Sequence, residues 1–130
     1  MSEEYTIHVR PLGDVQAVHF LRDVETVIGA GFSLDAASGG LIAWPPNQII
    51  YAYVDELPFE DDDNVPFSRY PWYLEQTPAK TEAAQQATLE HMRSIYDALV
   101  GTGRYGCCLV YALSELLANN DGLTSRAASG

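Results

Sequence analysis

A β-strand is indicated by the stretch YTIHVR, residues 5–10, in which apolar and polar side chains alternate with a period of two. Pro11 follows directly and ends the strand, and Asp14 is suited to cap a helix over residues 15–28. Apolar side chains recur along that helix at helical spacing, so we expect one of its faces to be buried. Gly29 then predicts where the helix ends.

Two β-rich runs, residues 41–44 and 49–54, follow the first helix. The four residues between them, 45–48, read Pro-Pro-Asn-Gln and predict a turn, so the two runs form a hairpin candidate. Residues 55–77 then read as a long irregular segment, with a short strand possible at residues 72–74. Segments of this length inside a compact domain are uncommon and are often functional or disordered.

The second predicted helix begins with Thr77 as the capping residue and Pro78 at the first helical position. It is expected to run to about Val100, because Gly101 then supplies a terminating residue. Residues 105–111 form a nearly continuous apolar run rich in strand-forming residues, which indicates a central strand.

The predicted order is therefore β-α-β-β-α-β. It favours an α+β fold in which two helices cover one face of a mainly antiparallel sheet, as in a ferredoxin-like split βαβ sandwich or a close variant. A further helical turn is expected at residues 114–118. We expect one domain over residues 1–118, with residues 119–130 as a flexible polar tail. The predicted core consists of Ile7, Val9, Leu21, Val24, Ile28, Ile50, Leu89, Met92, Leu99, Leu109 and Tyr111.

Charge is the strongest compositional feature. The 130 residues include 7 Lys and Arg against 18 Asp and Glu, which gives a formal net charge of −11. Such a field repels phosphates and anionic lipids, so we expect neither a nucleic acid nor a membrane as partner. The start, residues 1–4, lacks the basic and apolar regions of a signal peptide. We therefore expect a soluble, cytoplasmic protein.

The negative charge is concentrated in residues 23–68, which contain nine carboxylates and no Lys or Arg. We name residues 55–63 the acidic segment; its six carboxylates are Asp55, Glu56, Glu60, Asp61, Asp62 and Asp63. Four aromatic residues follow it closely, namely Phe67, Tyr70, Trp72 and Tyr73. Acidic rims steer basic partners, and Tyr and Trp are enriched at binding hot spots. The carboxylates are thus candidates for steering a partner, and the aromatic residues for anchoring it.

Other interpretations of this region remain open. The carboxylates could be a solvated, flexible cluster, and the aromatic residues could pack down as a satellite core. A calcium loop starting at Asp61 would need Gly at its sixth position and Glu at its twelfth. Pro66 and Trp72 stand there, so we expect no metal site.

The remaining reactive residue types give no catalytic pattern. Cys107 and Cys108 are adjacent on a predicted strand, so their thiols should point to opposite faces and be buried and inert. The three histidines, His8, His19 and His91, show no metal-ligand spacing, and His8 is expected on the polar side of its strand. We expect no cofactor and no catalytic residues.

These features favour a small acidic, non-enzymatic binding protein that docks or inhibits a basic protein partner. Immunity proteins and antitoxins that neutralise a nuclease have this profile of size and charge, which is an analogy and not a resemblance in sequence. Two alternatives stay open. One is a small ligand-binding or enzymatic α+β domain with a pocket between sheet and helices. The other is a structural module that forms a homodimer or larger homo-oligomer.

Overall fold

Two helices cover one face of a seven-stranded antiparallel sheet in the computed structural model, which describes residues 4–37, 40–45, 48–54, 67–113 and 115–120. The elements in chain order are β1 (Tyr5–Pro11), α1 (Ala17–Ile28), β2 (Ser33–Leu34), β3 (Leu41–Ala43), β4 (Ile50–Tyr53), a 3₁₀ turn (Phe67–Arg69), β5 (Trp72–Gln76), α2 (Glu82–Gly101), β6 (Tyr105–Tyr111) and β7 (Glu115–Asn119).

The sheet has the strand order β2-β3-β4-β5-β1-β6-β7, and every neighbouring pair is antiparallel. In its centre Ile7 of β1 lies between Leu74 of β5 and Leu109 of β6. The predicted α+β class and the predicted β3–β4 hairpin are therefore confirmed. The sheet is larger than the predicted order of four strands, because β2, β5 and β7 also join it.

The start of α1 differs from the prediction by two residues. Gln16, not Asp14, is the capping residue, and its backbone N–H donates to Nδ1 of His19 at 3.1 Å. This bond satisfies a backbone donor that a helix start would otherwise leave exposed. The predicted end is confirmed: Gly29 adopts a left-handed φ of 70°, and its N–H donates to the carbonyl of Glu25 at 2.9 Å.

The predicted start of α2 at Thr77 and Pro78 is wrong. The helix begins at Glu82, and Thr81 is its cap, accepting a 3.1 Å hydrogen bond from the N–H of Ala84 through Oγ1. A residue that precedes proline is biased towards extended backbone, so Thr77 continues away from β5 in a non-helical path. The helix ends at Gly101, one residue after the predicted Val100.

The helical turn predicted at residues 114–118 is also wrong, because Glu115–Asn119 forms β7 and pairs with β6. The chain reverses between these strands at Ala112 and Leu113, both of which have positive φ angles, 53° and 59°. Beyond β7, the side chain of Asn120 accepts the N–H of Cys107 at 2.7 Å. Asn120 is thus held against β6, and the rest of the predicted tail, 121–130, lies outside the described residues.

The main core lies between the sheet and the two helices. Eight of the predicted core residues are buried in it: Ile7, Val9, Val24, Ile28, Ile50, Met92, Leu99 and Leu109. The other three, Leu21, Leu89 and Tyr111, are partly buried and pack against it. The core also contains aromatic side chains that the sequence analysis did not assign to it, with Phe20 stacked on Trp72 at a centroid distance of 5.2 Å.

None of the helices that the described residues form is both long enough and apolar enough to cross a membrane.

Candidate functional site

The six carboxylates of the acidic segment (Asp55, Glu56, Glu60, Asp61, Asp62 and Asp63) lie outside the described residues. The structure does describe residues on either side of them in sequence. Before them, Tyr53 of β4 lies on the sheet face opposite the helices, and after them the ring of Phe67 contacts His8 on that same helix-free face.

The four aromatic residues predicted as anchors are interior residues, with exposed fractions between 0% and 7%. Phe67 and Tyr70 form a second, smaller core on the helix-free face together with Cys108 and Val110. Trp72 belongs to the main core instead. The ring of Tyr73 stacks on two other rings, with centroid distances of 4.6 Å to Tyr53 and 5.5 Å to His8. The structure thus places these rings in packing positions, and their role as anchors stays a prediction.

His8 lies in the interior of this second core, not on a solvated polar side as the alternation of β1 had suggested. Its ring is 4.5 Å from that of Phe67, and its Nε2 is 2.8 Å from Oγ1 of Thr6. Burial lowers the pKa of His8 to about 3, because the charged imidazolium would lose its hydration. His8 is therefore neutral at physiological pH.

An exposed part of the helix-free face remains beside this small core. It consists of Tyr51 and Tyr53 on β4 and Glu75 on β5, and we name it the Tyr–Glu face. Tyr51 lies opposite Glu75 in the register of the two strands, and Tyr53 lies opposite Tyr73. All three side chains are half-buried, so each is partly accessible to solvent.

Electrostatics distinguish Glu75 from an ordinary surface carboxylate. Desolvation by burial raises the pKa of Glu75, and the nearby carboxylate of Glu4 raises it further. Both effects disfavour the negatively charged form of Glu75. A cation placed beside Glu75 would stabilise its charged form, and the half-buried aromatic side chains of Tyr51 and Tyr53 lie on the same sheet face.

The remaining candidates behave as structural residues. Cys107 and Cys108 are buried in different cores on opposite faces of the sheet, as predicted. His19 caps α1, and His91 of α2 is hydrogen-bonded to Gln76. Among the residues that the structure describes, no three His, Cys, Asp or Glu side chains are placed to hold a metal ion together.

The sequence analysis missed the Tyr–Glu face for identifiable reasons. Tyr51 and Tyr53 lie two positions apart in a predicted strand, so their shared face was available as a signal. Glu75 lies in β5 just beyond the short strand that was considered possible at residues 72–74, and its proximity to Glu4 arises only from the pairing of β1 with β5. No protein-family model, no curated protein and no solved structure matches the chain.

Proposed function

We propose that this chain is a small acidic binding protein that docks a basic protein partner and has no catalytic role of its own. The observation that carries the proposal is its charge: a net charge of −11, with nine carboxylates and no Lys or Arg in residues 23–68. A field of this kind raises the rate at which a positively charged surface is encountered and repels acidic competitors. Inhibition of the partner, in the manner of an immunity protein or antitoxin, is the form of docking that we favour.

The docking surface that we infer is the Tyr–Glu face together with the acidic segment. The raised pKa of Glu75 supports this location, since a Lys or Arg of the partner would stabilise the charged form of that carboxylate. Tyr51 and Tyr53 supply half-exposed rings beside it. In this proposal they take the anchoring role that was predicted for Phe67, Tyr70, Trp72 and Tyr73, which are packed inside the protein.

A related proposal concerns the fold. We propose that β1, β4, β5 and β6 with the two helices are a split βαβ arrangement to which β2, β3 and β7 have been added at the sheet edges. The strand order supports it: β1 and β4 are both antiparallel to the strand between them, β5, and the connection from β1 to β4 contains α1. Left-handed crossovers in an experimental structure would contradict this relationship, because such connections are almost always right-handed.

The location of the docking surface can be tested by titrating the isotope-labelled protein with a short Arg-Gly repeat peptide. The proposal expects amide and side-chain shifts at Tyr51, Tyr53 and Glu75 that disappear as salt is added, since exposed charges are screened beyond about 8 Å at physiological ionic strength. The matched control is the same peptide with citrulline in place of arginine, which keeps the shape and removes the charge. Shifts centred on α2 instead, or equal shifts with citrulline, would rule out this face.

A further inference from the structure

A pocket of about 490 Å³ lies beside the ends of β4 and β5, on the helix side of the sheet. Its described lining on one side is Trp44, Pro45, Gln48 and Ile49, between β3 and β4, and on the other side it comprises the end of β5, the segment that follows it and the first turns of α2. The pocket is within the size range of small-molecule sites, roughly 300–1,000 Å³.

The wall of the pocket is mostly apolar. Trp44 stands at its rim with 64% of its surface exposed, and Ile49 beside it is 40% exposed. Pro78, Ala84 and Ala87 form the opposite wall, where their small side chains leave the space open. An exposed indole over an apolar recess is a binding feature, because such a side chain can cover a flat apolar ligand at little cost in conformational freedom.

Four neutral polar side chains interrupt this apolar lining. Oε1 of Gln48 is buried, and no group among the described residues donates a hydrogen bond to it. Gln76 is buried, and its Oε1 is 3.1 Å from Nδ1 of His91. An amide oxygen can only accept, so Nδ1 carries the hydrogen of this bond, and the NH₂ end of the Gln76 carboxamide is the end that His91 does not engage. The hydroxyls of the buried Thr88 and the exposed Thr77 are the other two groups.

We propose that this pocket binds a small neutral molecule that has a flat apolar body and an amide-type edge with one hydrogen-bond donor beside one acceptor. The donor satisfies Oε1 of Gln48, and the acceptor receives an N–H of Gln76. The flat body lies under Trp44. None of the described residues that line the pocket is Asp, Glu, Lys or Arg, so a charged ligand would lose its hydration without gaining a counter-ion from them.

His91 is a positioning residue in this account. It has no place in the pocket lining, but its bond to Gln76 fixes which end of the carboxamide faces the ligand. Desolvation by burial lowers the pKa of His91, so the ring stays neutral at physiological pH and adds no positive charge behind the pocket.

The experiment uses benzamide as the probe and follows the indole N–H signals of the two tryptophans by NMR. Binding should shift the signal of Trp44 saturably, with a dissociation constant on the order of 1 mM, which is usual for so small a molecule. Trp72 is buried in the main core and serves as the internal reference, whose signal should not move. The full-length chain is used throughout.

Two comparisons make the result decisive. Benzoate has the same ring but a charge in place of the amide, and it should bind at least about tenfold more weakly. Gln48→Met should weaken benzamide about tenfold while leaving the binding of toluene, which has no polar edge, unchanged. Equal binding of benzoate, no response to benzamide, or an unaltered benzamide affinity in Gln48→Met would each overturn the proposal.

A filling variant tests the location. Ala84→Leu places a larger side chain in the pocket wall and should abolish the response to benzamide. Ala83→Leu is the matched control, since Ala83 is the exposed neighbouring residue on α2 and does not line the pocket. A response that survives in Ala84→Leu, or one that is lost equally in both variants, would contradict this location.

Discussion

The hydroxyl of Tyr105, at the start of β6, donates a 2.5 Å hydrogen bond to Oδ2 of Asp23 on α1. The same oxygen receives a 2.6 Å bond from the guanidinium of Arg104. Burial raises the pKa of Tyr105, and the hydrogen bond to Asp23 and the charge of Asp23 raise it further. The hydroxyl therefore stays protonated and acts as the donor. One carboxylate thus ties the first helix to a strand that lies more than half of the chain away in sequence.

The two donors to Asp23 should differ in their contribution to stability. Tyr105→Phe should lower the free energy of unfolding by about 1.5–3 kcal/mol, the range for a hydrogen bond to a charged group. Arg104→Gln should lower it by less than about 1 kcal/mol, because the Arg104 side chain is 48% exposed and its ion pair is screened by solvent. Urea unfolding of both variants measures the difference, and a larger loss for Arg104→Gln would reverse our ranking.

The buried His8 predicts a pH dependence of stability. Its pKa is about 3 in the folded protein against about 6.5 when unfolded, so below pH 6.5 the unfolded chain binds a proton that the folded chain does not. The stabilisation is complete above pH 6.5 and is lost as the pH falls towards 3. Through this group alone, the free energy of unfolding should be about 1.4 kcal/mol lower at pH 5.5 than at pH 8.

His8→Gln separates this contribution from those of two other groups. Glu75, whose pKa is raised, makes the free energy of unfolding fall as the pH rises, whereas His91, whose pKa is lowered, makes it rise as His8 does. Urea unfolding at pH 5.5 and pH 8 should show a pH dependence smaller by about 1.4 kcal/mol in the variant. The same pH dependence in both proteins would mean that the imidazole is accessible to protons in the folded state.

How far the fold could be predicted depended on whether its signals were local. The strands β1 and β6 and the β3–β4 hairpin were recognisable because their residue patterns are contained within each segment. β2 has only two residues, too few for any periodicity. β7 contains Glu, Leu and Ala, which favour helices, and it becomes a strand through its pairing with β6.

The site was less predictable for the same reason. Whether Phe67 and Tyr70 bind a partner or pack inward depends on Cys108 and Val110, which lie some forty residues further along the chain. The Trp44 pocket has no signature in sequence, because its two walls meet only when α2 packs against the sheet. The position of α2 itself was misjudged at its start, because Thr77 followed by Pro78 matches a helix start, whereas the cap is Thr81.

The core positions give a matched pair of substitutions. Leu99 is fully buried, whereas Leu21 is only partly buried at the edge of the same core. Leu99→Ala should lower the free energy of unfolding by about 2–5 kcal/mol, and Leu21→Ala should cost clearly less, because fewer contacts are lost and solvent can fill the space. Chemical denaturation decides between them, and equal losses would mean that the face of α1 is assigned incorrectly.

The turn between β6 and β7 predicts a stabilising substitution. Leu113 has a φ of 59°, a left-handed conformation that costs a non-glycine residue roughly 1–2 kcal/mol. Asparagine tolerates this conformation, so Leu113→Asn should raise the melting temperature despite the loss of a partly exposed apolar side chain. Leu117→Asn, the same change at a position within β7, should lower it. A lower melting temperature for Leu113→Asn would show that packing outweighs backbone strain there.

The central claim, that negative charge steers a basic partner to the acidic segment, calls for a charge-matched pair of variants. In the first, Asp61, Asp62 and Asp63 are changed to Asn. In the control, Glu82→Gln, Glu90→Gln and Asp97→Asn remove the same charge from exposed positions on α2. Because Trp72 is stacked in the main core, Trp72→Ala would disturb the fold and is unsuitable as a binding variant.

The decisive measurement is the association rate constant of a basic protein captured from a native lysate, determined as a function of ionic strength for wild type and both triple variants. We predict that the Asp61, Asp62 and Asp63 variant associates about tenfold more slowly at low salt and shows a flatter salt dependence, with the helix control close to wild type. If both variants slow association equally, the attraction is due to net charge alone, and the acidic segment is not a docking site.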